Sequence, residues 1–315
     1  MSINKIVRLI EENRSFLISS HIAPEGDALG SELALAYLLR AKNKNVVIVN
    51  ERRIPREYEF FPGREILYSL RGRPRGKSPD VVFILDCSEL RRCGKVADIV
   101  PQDRPLAVID HHITNCHFGD INWVDAGASS AGEMVYRLYK RMKVPFSRDS
   151  AMCLYVSMLT DTGSFRYSNT TAYTHRAVAE LLGFGISVNK VYQRIYESRS
   201  YADVLSLKQA LQTMHINKRA GLAWFKMEMR KGEHTEHADS ILDFARRIKD
   251  VQVCFLLRYE RDKGEVRVNM RSRGRVDVSK VALRLGGGGH KNAAGATLKG
   301  LSLDEAEKKV LRLLR

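Results

Sequence analysis

Apolar and polar positions follow different patterns in the two halves of the chain. In the first half, short apolar runs without strict alternation begin near Ser15, Asn45, Asp80 and Pro105, and helical stretches separate them. Runs of this length suit strands that are buried on both faces of a parallel sheet. The pattern therefore predicts an α/β fold, with a doubly wound parallel sheet in its N-terminal domain.

The pattern becomes helical from Ser129 to about Leu182, and Gly183 and Gly185 then interrupt it. A smaller α+β unit follows, with expected helices at 203–214, 239–248 and 303–314 and expected strands at 221–229, 251–259 and 265–271. We therefore predict a first domain at 1–182, a helical linker at 183–202 and a second domain at 203–315.

The charge of the chain changes this picture by suggesting a partner. Lysine and arginine number 52 against 36 acidic residues, which gives a formal net charge of +16. Such an excess favours a polyanion such as RNA, a nucleotide or a phosphorylated metabolite, although a charge-rich surface explains it equally well. The basic loop at 71–77 is interpreted as a solvated turn in preference to an RNA contact.

Neither a membrane segment nor a disulfide framework is expected. No apolar run approaches the roughly 18 residues of a membrane helix, and the N-terminus enters an amphipathic helix without an apolar signal segment. The five cysteines are scattered and lack CxxC spacing. These features predict reduced thiols and a cytoplasmic protein.

Acidic and imidazole side chains stand where predicted strands and helices end. They are His21, Glu25 and Asp27 in one loop, Asp86 after an apolar strand, Asp110, His111 and His112 after another, and Asp161. Ligands of open α/β sheets bind outside the carboxyl ends of the strands. Acids and imidazoles that converge there need cations among them, and a set rich in carboxylates favours manganese over iron or zinc.

Each of these residues also has an ordinary structural explanation. Asp27 could cap the following helix, Asp86 could cap a turn, and His21 could be structural. Asp161 could simply end a helix. The combination is hard to obtain by chance, so a metal site is the favoured interpretation.

The sequence resembles the DHH phosphoesterase superfamily over nearly its whole length, through Asp110-His111-His112. It is most similar to the bacterial nanoRNases and pAp phosphatases, whose first motif reads H-x-x-P-D-x-D-A-x-G-S. Residues 21–31 match that motif except at Glu25, where the family commonly has Asp. Glu25 offers the same oxygen donors one methylene further out, so we expect a shifted but competent ligand.

The resemblance implies two divalent metal ions, most often Mn²⁺, and a catalytic set of Asp86, Asp110 and His112. One ion would be held by His21, Glu25 and Asp86. The other would be held by Asp27, Asp86, His111 and Asp161, so that Asp86 bridges both. Asp110 would orient a histidine, and His112 would face the substrate phosphate.

The second domain carries a separate signature: Arg271 and Arg273, followed by Gly286–Gly289 and His290. Glycines before a predicted helix let backbone N–H groups approach an anion, although such a run could equally be a flexible loop. The segment resembles the DHH-associated C-terminal domain. That resemblance implies substrate binding by Arg271, Arg273, Gly287, Gly288, Gly289 and His290.

Two further features receive less weight. Arg166 and Thr170 are weaker candidates for substrate binding in the first domain, where a surface turn explains them as well. His234 and His237 are interpreted as the start of a solvated helix.

These observations lead to a hypothesis of two-metal phosphoester hydrolysis in a cleft between the domains. The expected substrates are short RNA oligonucleotides, linear dinucleotides such as pApA and pGpG, or pAp, which would give AMP. A cyclic-dinucleotide phosphodiesterase, a family II-like inorganic pyrophosphatase, a RecJ-like exonuclease and a non-catalytic nucleotide sensor stay open as alternatives. A homodimer is also left open.

Overall fold

The computed structural model describes residues 2–73, 78–198, 200–229, 238–274 and 276–314. The chain divides into two compact units, Met1–Ser198 and Arg199–Arg315. The predicted linker at 183–202 contains a helix, Val188–Tyr196, which lies in the first unit. None of the helices in the described ranges is long and apolar enough to cross a membrane.

The first unit is built on a six-stranded parallel sheet, which confirms the predicted α/β class. Its strands are β1 (Ser15–Ser19), β2 (Asn45–Asn50), β3 (Leu67–Ser69), β4 (Val81–Leu85), β5 (Leu106–Asp110) and β6 (Ile121–Val124). Strands β1, β2, β4 and β5 are the apolar runs that the sequence pattern identified. The edge strands β3 and β6 were not predicted, because they are only three and four residues long and mostly half-buried.

The order of the strands, β3-β2-β1-β4-β5-β6, places a switch point between β1 and β4. The chain winds outward in one direction from β1 and in the other from β4, so a crevice opens at the carboxyl ends of these two strands. The two strands end almost level, because Ser19 of β1 pairs with Ile84 of β4. Residues directly after β1, β4 and β5 therefore meet at one edge of the sheet.

Helices cover this sheet and include one unusually close pair. They are α1 (Ser2–Glu12), α2 (Gly26–Ala41), α3 (Ala131–Met142), α4 (Arg148–Asp161), α5 (Ala172–Leu182) and α6 (Val188–Tyr196). Helix α2 is buried along nearly its whole length. A Cβ atom on Gly30 would lie 2.5 Å from the carbonyl oxygen of Cys153, so glycine permits α2 to lie against α4. This approach brings the start of α2 to the end of α4.

Short 3-10 helices complete the first unit, at Arg56–Tyr58, Arg64–Ile66, Leu70–Gly72 and Leu90–Ile99. Its apolar core lies between the sheet and the helices, with Phe16, Phe83, Tyr139 and Tyr155 among its largest buried side chains. The hydroxyl of Tyr139 donates a hydrogen bond to the carbonyl oxygen of Ala34, which joins α3 to α2 through the core.

The second unit contains a six-stranded mixed sheet in the order β11-β12-β10-β9-β8-β7. Its strands are β7 (His215–Asn217), β8 (Leu222–Met229), β9 (Val253–Glu260), β10 (Glu265–Ser272), β11 (Gly288–His290) and β12 (Ala293–Lys299). Its helices are α7 (Tyr201–Gln212), α8 (Ala238–Arg246), α9 (Val278–Arg284) and α10 (Leu303–Leu313). Among the described residues of this sheet, β8 and β9 pair in parallel and the other neighbouring strands pair antiparallel.

The glycine run does not precede a helix, and that part of the prediction was wrong. Gly288–His290 forms β11, which pairs with β12 as an antiparallel hairpin. Along β12, Ala294, Ala296 and Leu298 are buried in alternation, as expected for a strand with one face in the core. Alanine favours helices, so this strand was not predicted from the sequence. A helix dipole cannot contribute to anion binding at the glycines.

Candidate metal centre

The candidate ligands of the first unit come from the ends of adjacent elements. His21 follows β1, Asp86 follows β4 directly, and Asp110 is the last residue of β5. Asp27 lies in the first turn of α2 and Asp161 is the last residue of α4. Because β1, β4 and β5 are neighbours and α2 lies against α4, these five positions converge at the switch point.

Asp86 lies at the centre of the cluster in a left-handed backbone conformation, with φ of 51°. Such a conformation is uncommon for residues other than glycine, and it turns the chain sharply at the end of β4. Asp86 Oδ2 lies 3.5 Å from His21 Nε2, and Asp86 Oδ1 lies 3.4 Å from His111 Nε2 and 3.6 Å from His112 Nδ1. One buried carboxylate thus contacts three imidazoles.

His111 joins this group to a second one. Its Nε2 lies 3.6 Å from both Asp27 Oδ2 and Asp161 Oδ2. Within the described part of the chain, two groups have ligand atoms that all lie within 4.8 Å of one another: Asp86, His111 and His112, and Asp27, His111 and Asp161. Ligand atoms bound about 2.1 Å from one cation lie roughly 3.0–3.4 Å apart, so the observed separations need little contraction to fit.

Burial and neighbouring charges shift the pKa values of the acids in the cluster. Burial and the nearby Asp86 charge raise the pKa of Asp27 to about 6, against the opposing effect of His111. Burial also raises the pKa of Asp161 well above its ordinary value. Burial would raise the pKa of Asp86 too, but contacts with His111, His21 and His112 outweigh it and lower that pKa. Asp86 is therefore the most strongly ionised acid in the cluster.

Burial and nearby charges act in opposite directions on the pKa of the His111 imidazole. Burial lowers its pKa, but the carboxylates of Asp86, Asp161 and Asp27 outweigh burial and raise the pKa well above the ordinary value. Protons therefore neutralise this cluster when cations do not. A divalent cation that binds here must displace protons, so its affinity must rise with pH.

Asp110 lies behind the cluster and holds His112. Its fully buried carboxylate places Oδ1 at 2.6 Å from His112 Nδ1, and the same oxygen accepts a hydrogen bond from the backbone N–H of His111. Asn115 donates from Nδ2 to Asp110 Oδ2 at 2.6 Å and to the carbonyl oxygen of Cys87. The sequence analysis missed Asn115, whose only signal is a polar residue five positions after Asp110.

Asp27 does not cap its own helix, because Glu25 occupies the N-cap position of α2. Its carboxylate instead accepts hydrogen bonds from the backbone N–H groups of Ala131 at 2.8 Å and Gly132 at 3.0 Å, at the start of α3. Ser157 Oγ of α4 donates to the same carboxylate at 2.5 Å. Asp27 therefore joins three helices, and the residues that hold it could not be identified from the sequence.

Asp161 is held by Asn169 and by an unusual loop. Asn169 Nδ2 donates to the backbone oxygen of Asp161 at 3.1 Å and lies 3.3 Å from its Oδ2. Gly163, Ser164 and Phe165 have successive positive φ angles of 55°, 61° and 63°. Left-handed residues cluster at functional sites, where surrounding contacts maintain the strain.

Several predicted residues lie outside this cluster. Glu25 is exposed and belongs to neither ligand group, although its charge contributes to the raised pKa of Asp161. Arg166 is exposed, and its Nε donates to the carbonyl oxygen of Gly163, so it braces the loop. Thr170 is half-buried in the same loop.

The predicted substrate-binding residues of the second unit lie on β10 and around β11. Arg271 is half-buried on β10, and Arg273 follows the strand in an exposed position. Gly287 and the strand residues Gly288 and Gly289 lead to His290, whose side chain is outside the described part. His234 and His237 lie outside the described residues, as do residues 74–77 of the basic loop.

Comparison with known proteins gives concordant similarities. The pattern of the DHH family, N-terminal domain, matches residues 15–158, and that of the DHHA1 domain matches residues 221–315. The bifunctional oligoribonuclease and PAP phosphatase NrnA of Thermus thermophilus is 36% identical over 301 residues, covering 95% of this chain and 88% of that protein. The Bacillus subtilis protein of the same name is 27% identical and covers 96% of this chain and 95% of its own length.

A solved structure shares the fold over nearly the whole chain. The exopolyphosphatase-related protein from Bacteroides fragilis gives a TM-score of 0.92 at 26% sequence identity, over 99% of this chain and 95% of that one. The similarity extends through both compact units.

Proposed function

Because this chain belongs to the DHH family of phosphoesterases, we propose that it hydrolyses short oligoribonucleotides to mononucleotides and dephosphorylates pAp to AMP. The names of the Thermus thermophilus and Bacillus subtilis relatives support this substrate class. The observation that carries the proposal is the position of Asp86, buried at the switch point among His21, His111 and His112. We also propose that the protein acts in the cytoplasm.

The family is metal-dependent, and the donor set of the cluster fits divalent cations. Carboxylates and imidazoles within 4.8 Å of one another suit manganese, and we propose that two Mn²⁺ ions bind here. When bound, such cations polarise the phosphate and lower the pKa of the attacking water. We propose that His21, Glu25 and Asp86 hold one ion. Asp27, Asp86, His111 and Asp161 would hold the other.

The side chains of the cluster have separate tasks in this proposal. Asp86 is kept ionised by its imidazole neighbours, so it can serve both ions at neutral pH. Asp110 engages Nδ1 of His112 and sets the orientation of the ring, so that Nε2 faces a phosphate oxygen of the substrate. Through this contact His112 stabilises the negative charge that develops on the phosphate.

The second unit is proposed to bind the part of the substrate that is not cleaved. Arg271 and Arg273 provide guanidinium groups, which can bind phosphate oxygens in pairs, and Gly287–Gly289 and His290 lie nearby in sequence. In this division, residues 1–182 are catalytic and residues 203–315 bind substrate. A homodimer stays a prediction from the sequence.

A substrate panel tests the proposal. Turnover of pApA, a five-nucleotide RNA, pAp, pyrophosphate and a cyclic dinucleotide is measured side by side with Mn²⁺ or Mg²⁺. We expect pApA, the short RNA and pAp to be hydrolysed, and pyrophosphate and the cyclic dinucleotide to be poor substrates. Faster turnover of pyrophosphate than of every nucleotide would replace this function with that of a pyrophosphatase.

A further inference from the structure

Asp161 differs from Asp27 in how firmly its carboxylate is held. The side chain of Asp161 is 33% exposed, whereas that of Asp27 is 4% exposed. Asp27 accepts hydrogen bonds from two backbone N–H groups at the start of α3 and from Ser157 Oγ. Among the described residues, Asn169 is the only hydrogen-bond donor to the Asp161 carboxylate, with Nδ2 at 3.3 Å from Oδ2. The position of this candidate ligand therefore depends on Asn169.

The amide of Asn169 joins two parts of the chain. The same Nδ2 donates to the carbonyl oxygen of Ser129 at 2.8 Å and to the backbone oxygen of Asp161 at 3.1 Å. Asn169 Oδ1 is buried and has no hydrogen-bond partner among the described residues, which costs stability. The reverse orientation would direct Oδ1 at acceptor oxygens. The donor contacts therefore determine how the amide is oriented.

Ser129 provides a firm anchor for this amide, because it is fully buried and bound to Glu133. Glu133 Oε2 accepts hydrogen bonds from Ser129 Oγ at 2.7 Å and from the backbone N–H of Ser129 at 3.3 Å. Thr174 Oγ1 donates to the same oxygen at 2.8 Å, and Arg137 pairs with the other carboxylate oxygen. A buried network with this many partners is rigid. The carbonyl oxygen that Asn169 contacts therefore has a fixed position.

The start of α3 thus anchors both acids of one ligand group. Asp27 is bound there directly, through backbone N–H groups, and Asp161 is bound there through Asn169 and Ser129. The two acids lie on different helices, α2 and α4, so a common anchor is needed to fix the gap between their carboxylates. His111 Nε2 lies in this gap, 3.6 Å from an oxygen of each acid. Asn169 therefore helps to set the dimensions of the candidate cation site.

We propose that Asn169 is a positioning residue of the metal centre, which holds the Asp161 carboxylate in place and so strengthens cation binding there. The cation concerned is the one bound together with Asp27 and His111. Without the amide, the half-buried Asp161 side chain can turn toward solvent, and the cation then loses a charged ligand. Residues that hydrogen-bond to metal ligands contribute about 10- to 100-fold to metal affinity. The inference rests on the proposed metal-dependent hydrolysis and deepens it.

The test measures manganese binding to the metal-free, full-length protein. The variants are Asn169→Leu, which keeps the size of the side chain without a donor, and Asn169→Ser, which stays polar but is too short to make the same contacts. Calorimetric titration with Mn²⁺ gives the affinities, and the electron paramagnetic resonance spectrum of bound Mn²⁺ reports on its surroundings. We expect both variants to lower the affinity for one ion about 10- to 100-fold and to change the spectrum.

Asn122 offers a matched control for a purely structural role. Its Nδ2 donates to the carbonyl oxygens of His117 and Gly119, and its Oδ1 accepts from the N–H of Gly119, so it braces a loop without a candidate ligand. Asn122→Leu should lower stability in urea unfolding and leave manganese binding unchanged. Wild-type manganese affinity in both Asn169 variants would overturn the inference, as would an equal loss of affinity in Asn122→Leu.

Kinetics separate positioning from general damage and from the proposed function. With pApA, the manganese concentration for half-maximal activity of the Asn169 variants should rise about 10- to 100-fold, while kcat at saturating Mn²⁺ falls less than about threefold. A loss of kcat that manganese does not restore would overturn the inference. If the wild-type protein hydrolyses no nucleotide, the proposed function fails. Asn169 is still tested, because weaker manganese binding by both variants supports its role and unchanged binding refutes it.

Discussion

The two sheets of this protein hold their polar side chains in different ways. In the first unit, Asp27, Asp86 and Asp110 are buried at the carboxyl ends of parallel strands or beside them, and each has several partners. In the second unit, Arg267 lies exposed on β10 and Arg273 lies exposed directly after it. The first arrangement holds atoms in fixed positions, as the proposed hydrolysis requires, and the second suits the proposed binding of a phosphate group.

The physical cost of the two arrangements differs as well. A buried charge must be paired, and removing one partner leaves the other uncompensated. An exposed guanidinium remains solvated, so its loss chiefly removes one contact with the ligand. Substitutions in the buried cluster should therefore change kcat or stability, whereas substitutions of the arginines of the second unit should change KM.

The largest effect is expected from Asp86→Asn, which keeps the size of the side chain but removes the charge shared by three imidazoles. Turnover of pApA with Mn²⁺ should fall on the order of a thousandfold or more, because the variant cannot hold cations and phosphate together. Steady-state kcat and bound manganese, by elemental analysis, check this. Asp103→Asn, at an exposed acid, is the control. A near-normal kcat for Asp86→Asn would refute the metal centre.

A smaller effect, on stability, is expected at Glu32, a buried acid of α2 that accepts a hydrogen bond from Asn50 Nδ2. Burial raises its pKa from the ordinary 4.5 to about 7. Between these pH values the folded protein keeps a proton that the unfolded chain loses, so stability falls as pH rises through this window. The fall should reach up to about 3 kcal/mol.

Glu32→Gln should remove this dependence, because glutamine keeps the acceptor for Asn50 and carries no charge. Urea unfolding of the metal-free protein at pH 5 and pH 8 measures the difference. The variant should match the wild type at pH 5 and exceed it at pH 8. Equal slopes with pH for both proteins would mean that Glu32 is not the responsible group.

The smallest effect is expected in the second unit, from Arg271→Gln at a half-buried position of β10. We expect KM for pApA to rise about tenfold with kcat changed much less, because a contact made equally in the bound state and the transition state is lost. Arg261→Gln serves as the control, and full kinetic curves separate the two constants. A fall in kcat as large as that of Asp86→Asn would remove the distinction between the two units.

Much of the first unit could be predicted from its sequence. Asp86 and Asp110 follow apolar runs that suit strands buried on both faces, so their meeting at one sheet edge follows from parallel topology. The expected family resemblance is confirmed by the similarities to both domains. The family could be recognised because three consecutive residues, Asp110-His111-His112, form its motif.

The remaining features depend on contacts between distant residues. Ser157 holds Asp27 across 130 positions of the chain, and no local pattern reports such a pair. The hairpin of β11 and β12 was missed because Ala294 and Ala296 fill strand positions with a residue that favours helices. Tertiary contacts overrode local preference there.

The carboxylate of Asp27 accepts hydrogen bonds from the start of α3 and from the Ser157 hydroxyl. This structural role affects how the fold can evolve. A descendant that lost its catalytic role would still need an acid at position 27, because three helices meet there. An aspartate at that position in a distant relative is therefore weak evidence that the relative is an active enzyme. Retention of Asp86, whose carboxylate contacts His21, His111 and His112, is the better marker of a working enzyme.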